Sequence, residues 1–208
     1  IMQCITFFCQ DFSRERRVPR ESSSTAQPAR QTRRQLLDAA ERLFAAHGIE
    51  GVSLRSIIRE AGQRNQSALQ YHFGDRDGLL AAIQERRVEQ LEKKRRKLLE
   101  RALQARGRLG VRDACAVLVR TGFEMCREDR SFRAFLSQFG QRLLASSQSL
   151  LNIEPMTSSQ ATLFEFTLEA MGDMDVALLR LRLENANGLA LQALSRRARA
   201  GESFRGPK

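Results

Sequence analysis

The sequence predicts an all-α fold, and three observations support that prediction. Apolar residues recur every three or four positions in segment after segment from about residue 32 onwards. No stretch shows the alternation of apolar and polar residues that is typical of strands. Glycines stand where periodic segments stop, at Gly48, Gly62 and Gly107. We therefore expect an N-terminal three-helix domain with a helix-turn-helix layout, joined by one long helix to a C-terminal helical domain.

The chain carries a basic excess that is unevenly distributed. Its 35 Lys and Arg residues against 24 Asp and Glu give a net charge of +11, which favours an anionic partner such as nucleic acid or a membrane surface. Residues 81–110 hold ten basic and four acidic side chains, whereas residues 31–80 hold seven and six. A membrane surface is disfavoured because no amphipathic anchor sets lysines opposite bulky apolar residues.

Residues that catalyse reactions or hold metals are few and scattered. Cys4, Cys9, Cys115 and Cys126 form no C-x-x-C pair and have no histidine at zinc-ligand spacing, so we expect neither metal nor cofactor. Few cysteines and no signal peptide indicate a cytoplasmic protein. The last two cysteines are interpreted as buried apolar residues, with a thiol sensor as the alternative. An enzyme is disfavoured because no nucleophile and base stand together and no phosphate-binding loop is present.

The first three helices have recognisable starting signals. Thr32, with Gln35 three residues later, has the capping-box spacing, so helix one is expected to begin there. Ser53 is a good N-cap for helix two, and Asn65 can cap a third helix that runs to about His72. That third helix offers amides, hydroxyls and an imidazole in place of Glu and Lys, which suits base edges and phosphate oxygens. It is therefore interpreted as a recognition helix in preference to a solvated polar face.

The rest of the chain is predicted to be helical as well. Asp75 caps a fourth helix, and no Pro or Gly interrupts it from residue 79 until Gly107. This long helix is expected to link the two domains. The last helix has an apolar stripe too broad for one neighbour, which favours a subunit interface. Candidate interface residues are Leu179, Leu183, Ala186, Ala190 and Leu194. Candidate pocket residues, for which a plain core role is the alternative, are Phe123, Met125, Phe132, Phe135, Phe139, Phe164 and Phe166.

Three motifs follow one another in the N-terminal part: R-x-L-L-D-A-A-E-R-L-F-A-A-H-G, V-S-L-R-S-I-I-R-E-A-G and A-L-Q-Y-H-F-G-D-R-D-G-L-L. Together they resemble the N-terminal domain of TetR-like transcriptional regulators. The resemblance implies a homodimer that binds a palindromic operator in double-stranded DNA and is usually a repressor. It also implies a C-terminal domain that dimerises and holds a small-molecule effector, here expected to be apolar. The turn at residues 63–65 is one residue longer than the family's common form.

The resemblance and the polar helix together suggest the DNA contacts. Ser53, Tyr71 and Arg76 are expected to touch phosphates, while glutamine suits adenine and arginine suits guanine. A helical adaptor that binds a protein through the last helix, without DNA, is the rival interpretation. The expected boundaries are residues 1–31 for a disordered arm, 32–80 for the DNA-binding domain, 81–200 for the effector-binding and dimerisation domain, and 201–208 for a frayed tail. The candidate DNA-binding residues are Ser53, Arg55, Arg64, Asn65, Gln66, Ser67, Gln70, Tyr71, His72 and Arg76.

Overall fold

A computed structural model describes residues 26–65, 67–145 and 158–205. These residues form helices and connections with no strand, so the all-α prediction is confirmed for them. Predictions made for residues 1–25, for Gln66 and for the loop at residues 146–157 lie outside the described residues. The helices are α1 Ala26–His47, α2 Leu54–Glu60, α3 Ser67–Phe73, α4 Arg76–Arg106, α5 Val111–Glu128, α6 Arg130–Ala145, α7 Ser158–Met171 and α8 Val176–Arg199.

Helix α1 begins earlier than predicted. It spans Ala26–His47, so Thr32 lies inside the helix and does not cap it, and the disordered arm cannot extend to residue 31. Pro28 is compatible with this start because the first turn of a helix makes no use of that backbone N–H. The helix ends as expected, since Gly48 has φ +74° and donates its N–H to the Phe44 carbonyl at 2.9 Å.

A continuous hydrophobic core joins the three N-terminal helices to the C-terminal ones. Phe44 of α1 meets Phe139 of α6 edge to face at 6.2 Å, and Phe139 stacks on Phe135 at 4.7 Å between ring centroids. Both α6 rings are at most 5 % exposed. The same core includes Ile57 of α2 and Leu79 of α4, each fully buried. The two halves of the chain therefore share one packed interior instead of meeting through a loose linker.

Helix α8 lies against α6 at very short range. A Cβ atom added at Gly140 would stand 2.1 Å from the Ser195 hydroxyl oxygen, and one at Gly122 of α5 would stand 2.8 Å from Leu194 Cδ1. Glycine at these two positions thus lets α8 approach its own chain closely. A second, smaller core cluster lies further along α4. Its buried members are Leu99, Leu109, Ala114, Val117 and Leu163.

This packing corrects the expected dimer face of α8. Leu179 is 3 % exposed and Leu194 packs against the core, so the predicted stripe largely faces the chain itself. Only Ala186 of that set is classed as exposed. The apolar residues that point outward are Leu178, Leu181 and Leu189, at 41 %, 53 % and 68 % exposure. Both faces of α8 are apolar, and periodicity alone does not tell which one the chain covers.

The segment after α8 is also not a frayed tail. Phe204 is 3 % exposed and packs against Phe123 at 5.8 Å between ring centroids. Arg197 donates from Nε to the Ser203 carbonyl at 2.8 Å and places its guanidinium over the Phe204 ring. Residues 201–205 are therefore held onto the helical body. In the described part of the chain, no helix has the length and apolar character needed to cross a membrane.

Candidate nucleic-acid interface

Hydrogen bonds hold both the start of α2 and the turn that joins α2 to α3. The Ser53 hydroxyl accepts a hydrogen bond from the Ser56 N–H at 3.1 Å, as expected of the N-cap of α2. Gly62 follows α2 with φ +68°, and the Gln63 N–H returns to the Ile58 carbonyl at 3.0 Å. The Gln63 side chain then donates to Gln35 Oε1 of α1 at 3.0 Å. Gln35, expected to complete a capping box, instead anchors the longer turn.

Helix α3 turns one polar face outward and one apolar face inward. Leu69 is 2 % exposed and holds the helix to the core, whereas Tyr71 is 77 % exposed. Ser67 and Gln70 are exposed as well. Positions i, i+3 and i+4 lie on one side of a helix, so these three side chains form a single surface. We call Ser67, Gln70 and Tyr71 the reading face.

Asn65 acts at the start of α3 as predicted. Its Oδ1 accepts from the Ser67 N–H at 2.9 Å and from the Ser67 hydroxyl at 2.7 Å. Since Oδ1 serves the cap, the Asn65 amide NH₂ is the group that can turn to an outside partner. Arg55 of α2 and Arg64 within the turn are both exposed.

His72 is half-buried beside the reading face. Its ring lies 5.0 Å from the Tyr71 ring and 6.1 Å from the Phe73 ring, while Arg33 sits over Phe73. Burial, followed by the nearby Arg33 charge, lowers the pKa of His72 from its ordinary value. The imidazole is therefore neutral near pH 7 and has one donor and one acceptor nitrogen. It adds hydrogen-bonding capacity without positive charge.

Arg76 is half-buried and has partners within the chain. Its guanidinium donates to the Val52 carbonyl at 2.8 Å and to the Ile49 carbonyl, and it lies 5.9 Å from the Phe44 ring centroid. These contacts hold the connection between α1 and α2, which sets the position of the Ser53 cap. Arg76 therefore has a structural role, and its expected contact with DNA stays a prediction.

Sequence reasoning missed a buried ionic cluster that ties the two halves together. Arg87 of α4 is 2 % exposed and donates to both Glu41 carboxylate oxygens, from Nε at 2.9 Å. It also donates to Asp129 at 3.2 Å and to Ser131 at 2.9 Å, at the junction of α5 and α6. We call these four residues the Arg87 cluster. Its partners are more than 40 residues away in sequence, so only the folded chain shows it.

The predicted pocket residues do not converge on one cavity. Phe135 and Phe139 belong to the shared core, and Phe123 packs on the C-terminal segment. Two small cavities lie among the C-terminal helices, of about 50 and 30 Å³, and both are bordered by Leu118. Phe132 borders the first and Phe164 the second. Polar side chains that sequence reasoning did not select also line them: Arg95, Thr121 and Asn187 in the first, and Gln160, Thr167, Arg180 and Glu184 in the second.

The cysteines and acidic residues in the described ranges are candidate metal ligands and nucleophiles. No group of three or more His, Cys, Asp or Glu side chains is placed there to hold a metal ion. Burial raises the pKa of Cys126 to about 12, so this thiol stays protonated and is a poor nucleophile. Cys126 fits the predicted role of a buried apolar residue, and Cys115 is half-buried.

Comparison with known proteins places the similarity in the part that carries the reading face. Residues 36–83 match the model of the family described as bacterial regulatory proteins, tetR family. The transcriptional repressor AcnR of Corynebacterium glutamicum is 38 % identical over 52 residues, which are 25 % of this chain and 27 % of AcnR. The regulator AcrR of Shigella flexneri is 39 % identical over 61 residues, 29 % of this chain and 28 % of AcrR. The match thus spans under a third of each curated relative.

Solved structures show more distant similarity along most of the chain. A gamma-butyrolactone receptor (ArpA-like protein) covers 82 % of this chain, with 83 % of its own length aligned, 23 % identity and a TM-score of 0.45. The ketosteroid transcriptional regulator KstR2 of Mycobacterium tuberculosis covers 90 % of this chain, with 99 % of its own length aligned, 16 % identity and a TM-score of 0.45.

Proposed function

We propose that this TetR-like chain, whose residues 36–83 match the tetR family of bacterial regulatory proteins, is a sequence-specific DNA-binding repressor. The observation that carries the proposal is the reading face, an exposed patch of hydroxyl and amide groups on a short helix anchored by Leu69. A helix of this kind, following a tight turn, fits the major groove. Its groups can serve both as donors and as acceptors, as base edges require.

The candidate contacts divide by chemistry. Gln70 presents the amide that pairs with adenine in two hydrogen bonds, and Arg64 the guanidinium that pairs with guanine. Ser67 and Gln66 are proposed to contribute further base contacts. Phosphate contacts fix the position of the protein on DNA without reading its sequence, and we assign them to Ser53, Arg55 and Tyr71. Asn65 and His72 are proposed as additional phosphate contacts. Arg76 is proposed to act indirectly, by holding the α1–α2 connection.

We propose that two copies bind a pseudo-palindromic operator as a homodimer. Two recognition helices read successive major grooves when they stand about 34–36 Å apart, which a single copy cannot achieve. The outward apolar residues of α8, Leu178, Leu181 and Leu189, are the dimer contact that we propose in place of the stripe expected from the sequence. Covering them in a dimer would remove exposed apolar area from water. Repression would follow from blocking access to the promoter.

Release by a small, mainly apolar effector is proposed to involve the two cavities bordered by Leu118. At about 50 and 30 Å³ they are far smaller than the ~300 Å³ at the lower end of drug-sized ligand pockets. An effector would therefore have to separate α5 from α7 and α8 on entering. An effector that binds only the opened arrangement shifts the population towards it. The Arg87 cluster, which joins α1, α4 and the start of α6, is the proposed route by which this movement reaches the reading face.

Salt-dependent binding to duplex DNA tests the proposal. If Arg55 of each protomer neutralises a phosphate, affinity should fall by about tenfold between 0.05 and 0.2 M salt. Arg55→Ala should weaken binding to all sequences alike, whereas Arg120→Ala, which removes an exposed charge on α5, should leave affinity unchanged. An adaptor that does not use DNA would show neither the affinity nor its dependence on salt, and that result would refute the proposal.

A further inference from the structure

A groove that shares no residue with the reading face is lined by several arginine side chains. It has a volume of about 710 Å³ and lies between the α5–α6 junction, the end of α8 and the segment that follows it. The helix side contributes Arg127, Arg130 and Arg133, and the C-terminal segment contributes Arg205. We call it the arginine groove. Neither the proposed DNA contacts nor the two cavities bordered by Leu118 include any of these four residues.

The C-terminal segment forms a fixed wall of this groove. Gly201 turns the chain with φ +66°, and the Glu202 N–H bonds back to the Arg197 carbonyl at 3.1 Å. Phe204, buried at 3 % exposure, then pins the segment to the core. Arg205 follows directly after this anchor and is thereby positioned beside the arginines of α5 and α6. The buried Phe204 and the hydrogen bond from Arg197 to the Ser203 carbonyl therefore hold this wall in place.

The groove has more positive than negative charge. Its one acidic lining residue, Glu202, is paired with Arg197 at 3.8 Å. Arg127 is paired with Glu128, a carboxylate that also binds Lys94 at 2.8 Å. Among the described residues, Arg130 and Arg205 have no ion-pair partner, and Arg133 makes only a hydrogen bond to the Cys126 carbonyl at 2.9 Å. Like charges held together repel, and a bound anion relieves that repulsion.

We propose that the arginine groove binds a small ligand bearing two or more phosphate groups. Guanidinium groups bind phosphate oxygens through paired, charge-assisted hydrogen bonds, and several of them together suit a polyanion. The hydroxyl of Ser203, which also lines the groove and accepts from the Arg205 N–H at 3.1 Å, can donate one neutral hydrogen bond to the ligand. The apolar lining is limited to Ala134, Ala198 and the buried Phe204, so the groove selects charge rather than an apolar body.

Calorimetric titration of the full chain with pyrophosphate tests this assignment. The double variant Arg130→Ala/Arg205→Ala removes the two exposed groove arginines that have no ion-pair partner in the described chain. Its matched control, Arg101→Ala/Arg120→Ala, removes the same charge from exposed positions outside the groove. Wild type and control should bind alike, and the groove variant should bind at least about tenfold more weakly. Far-UV circular dichroism establishes that each variant is folded.

The proposal is overturned if wild type shows no saturable binding of pyrophosphate. It is also overturned if the groove variant and the control lose the same amount of affinity for pyrophosphate. DNA phosphates are the other source of the same chemistry, so each variant is also titrated with duplex DNA. Weaker DNA binding by the groove variant than by the control, without pyrophosphate binding to wild type, would assign the groove to DNA and refute a small-ligand site.

Discussion

Replacing Arg87 by methionine tests whether the Arg87 cluster holds the two halves of the chain together. Methionine keeps an apolar stem near the Phe132 and Phe135 rings, over which the guanidinium now lies. Removing one partner of a buried ion pair costs about 3–5 kcal/mol. Glu41 retains Arg86, whose Nη2 lies 2.9 Å from Oε2, so the lower end, about 3 kcal/mol, is expected.

Urea unfolding measures this loss. With a slope of about 2 kcal/mol per molar urea, a loss of about 3 kcal/mol lowers the midpoint by about 1.5 M. Arg108→Met is the control, because the ion pair between Arg108 and Glu169 joins side chains that are 73 % and 60 % exposed. The control should lose less than about 1 kcal/mol. If Arg87→Met is no more destabilising than the control, the cluster does not hold the halves together.

Two further predictions concern packing and protonation. Gly140→Ala should lower the free energy of unfolding by about 1–3 kcal/mol, because the added Cβ would overlap Ser195. Gly122→Ala should lower it by less, because its added Cβ would meet only the flexible end of Leu194. Equal thermal stabilities would argue against this helix contact. His72 should titrate below its ordinary pKa of 6.5 in an NMR pH series, and Arg33→Ala should raise the midpoint slightly, since Arg33 is the smaller cause. Because folding lowers the pKa of His72, its contribution to the free energy of unfolding is complete above pH 6.5 and is lost as the pH falls towards the pKa of the folded protein. A titration midpoint of His72 above pH 6.5 would contradict the burial of its ring.

Local chemistry was sufficient to predict most helix ends. Ser53 and Asp75 cap α2 and α4 with their side chains, at 3.1 and 2.8 Å, as their sequence positions suggested. Gly107 ends the long fourth helix as expected. Such signals depend on neighbouring residues only, so a sequence shows them directly. The start of α1 was mispredicted because the capping-box pattern at Thr32 also occurs inside helices.

Features that depend on distant partners were not predictable in this way. Arg76 was expected to contact DNA, and what its sequence position did not show is that its guanidinium bonds to carbonyls more than 20 residues away in sequence. Arg87 stands beside Arg86 in an ordinary helical sequence, and only the folded chain shows which of them is buried. Phe204 is the one large apolar residue of the polar sequence after α8, so its type is the signal in the sequence that agrees with its burial.

In the candidate site too, features set by neighbouring residues were predictable and features set by distant residues were not. Polar chemistry on α3 was evident from sequence, and the outward positions of Ser67, Gln70 and Tyr71 agree with helical spacing. What the sequence did not reveal was how the longer turn is held, because the bond from Gln63 to Gln35 joins residues 28 apart. That bond ties the turn before α3 to α1, while the buried Leu69 holds α3 itself to the core.

The base preference of Gln70→Ala is the most direct test of DNA reading by this chain. Wild-type protein and variant are each used to select sites from a random duplex library at one fixed salt concentration. Wild type should select a pseudo-palindrome, and the variant should lose preference at one symmetric pair of positions, worth about 1–3 kcal/mol each. Its affinity for non-specific DNA should be unchanged. An identical preference in both proteins, or no selected site with wild type, would contradict a recognition role for the reading face.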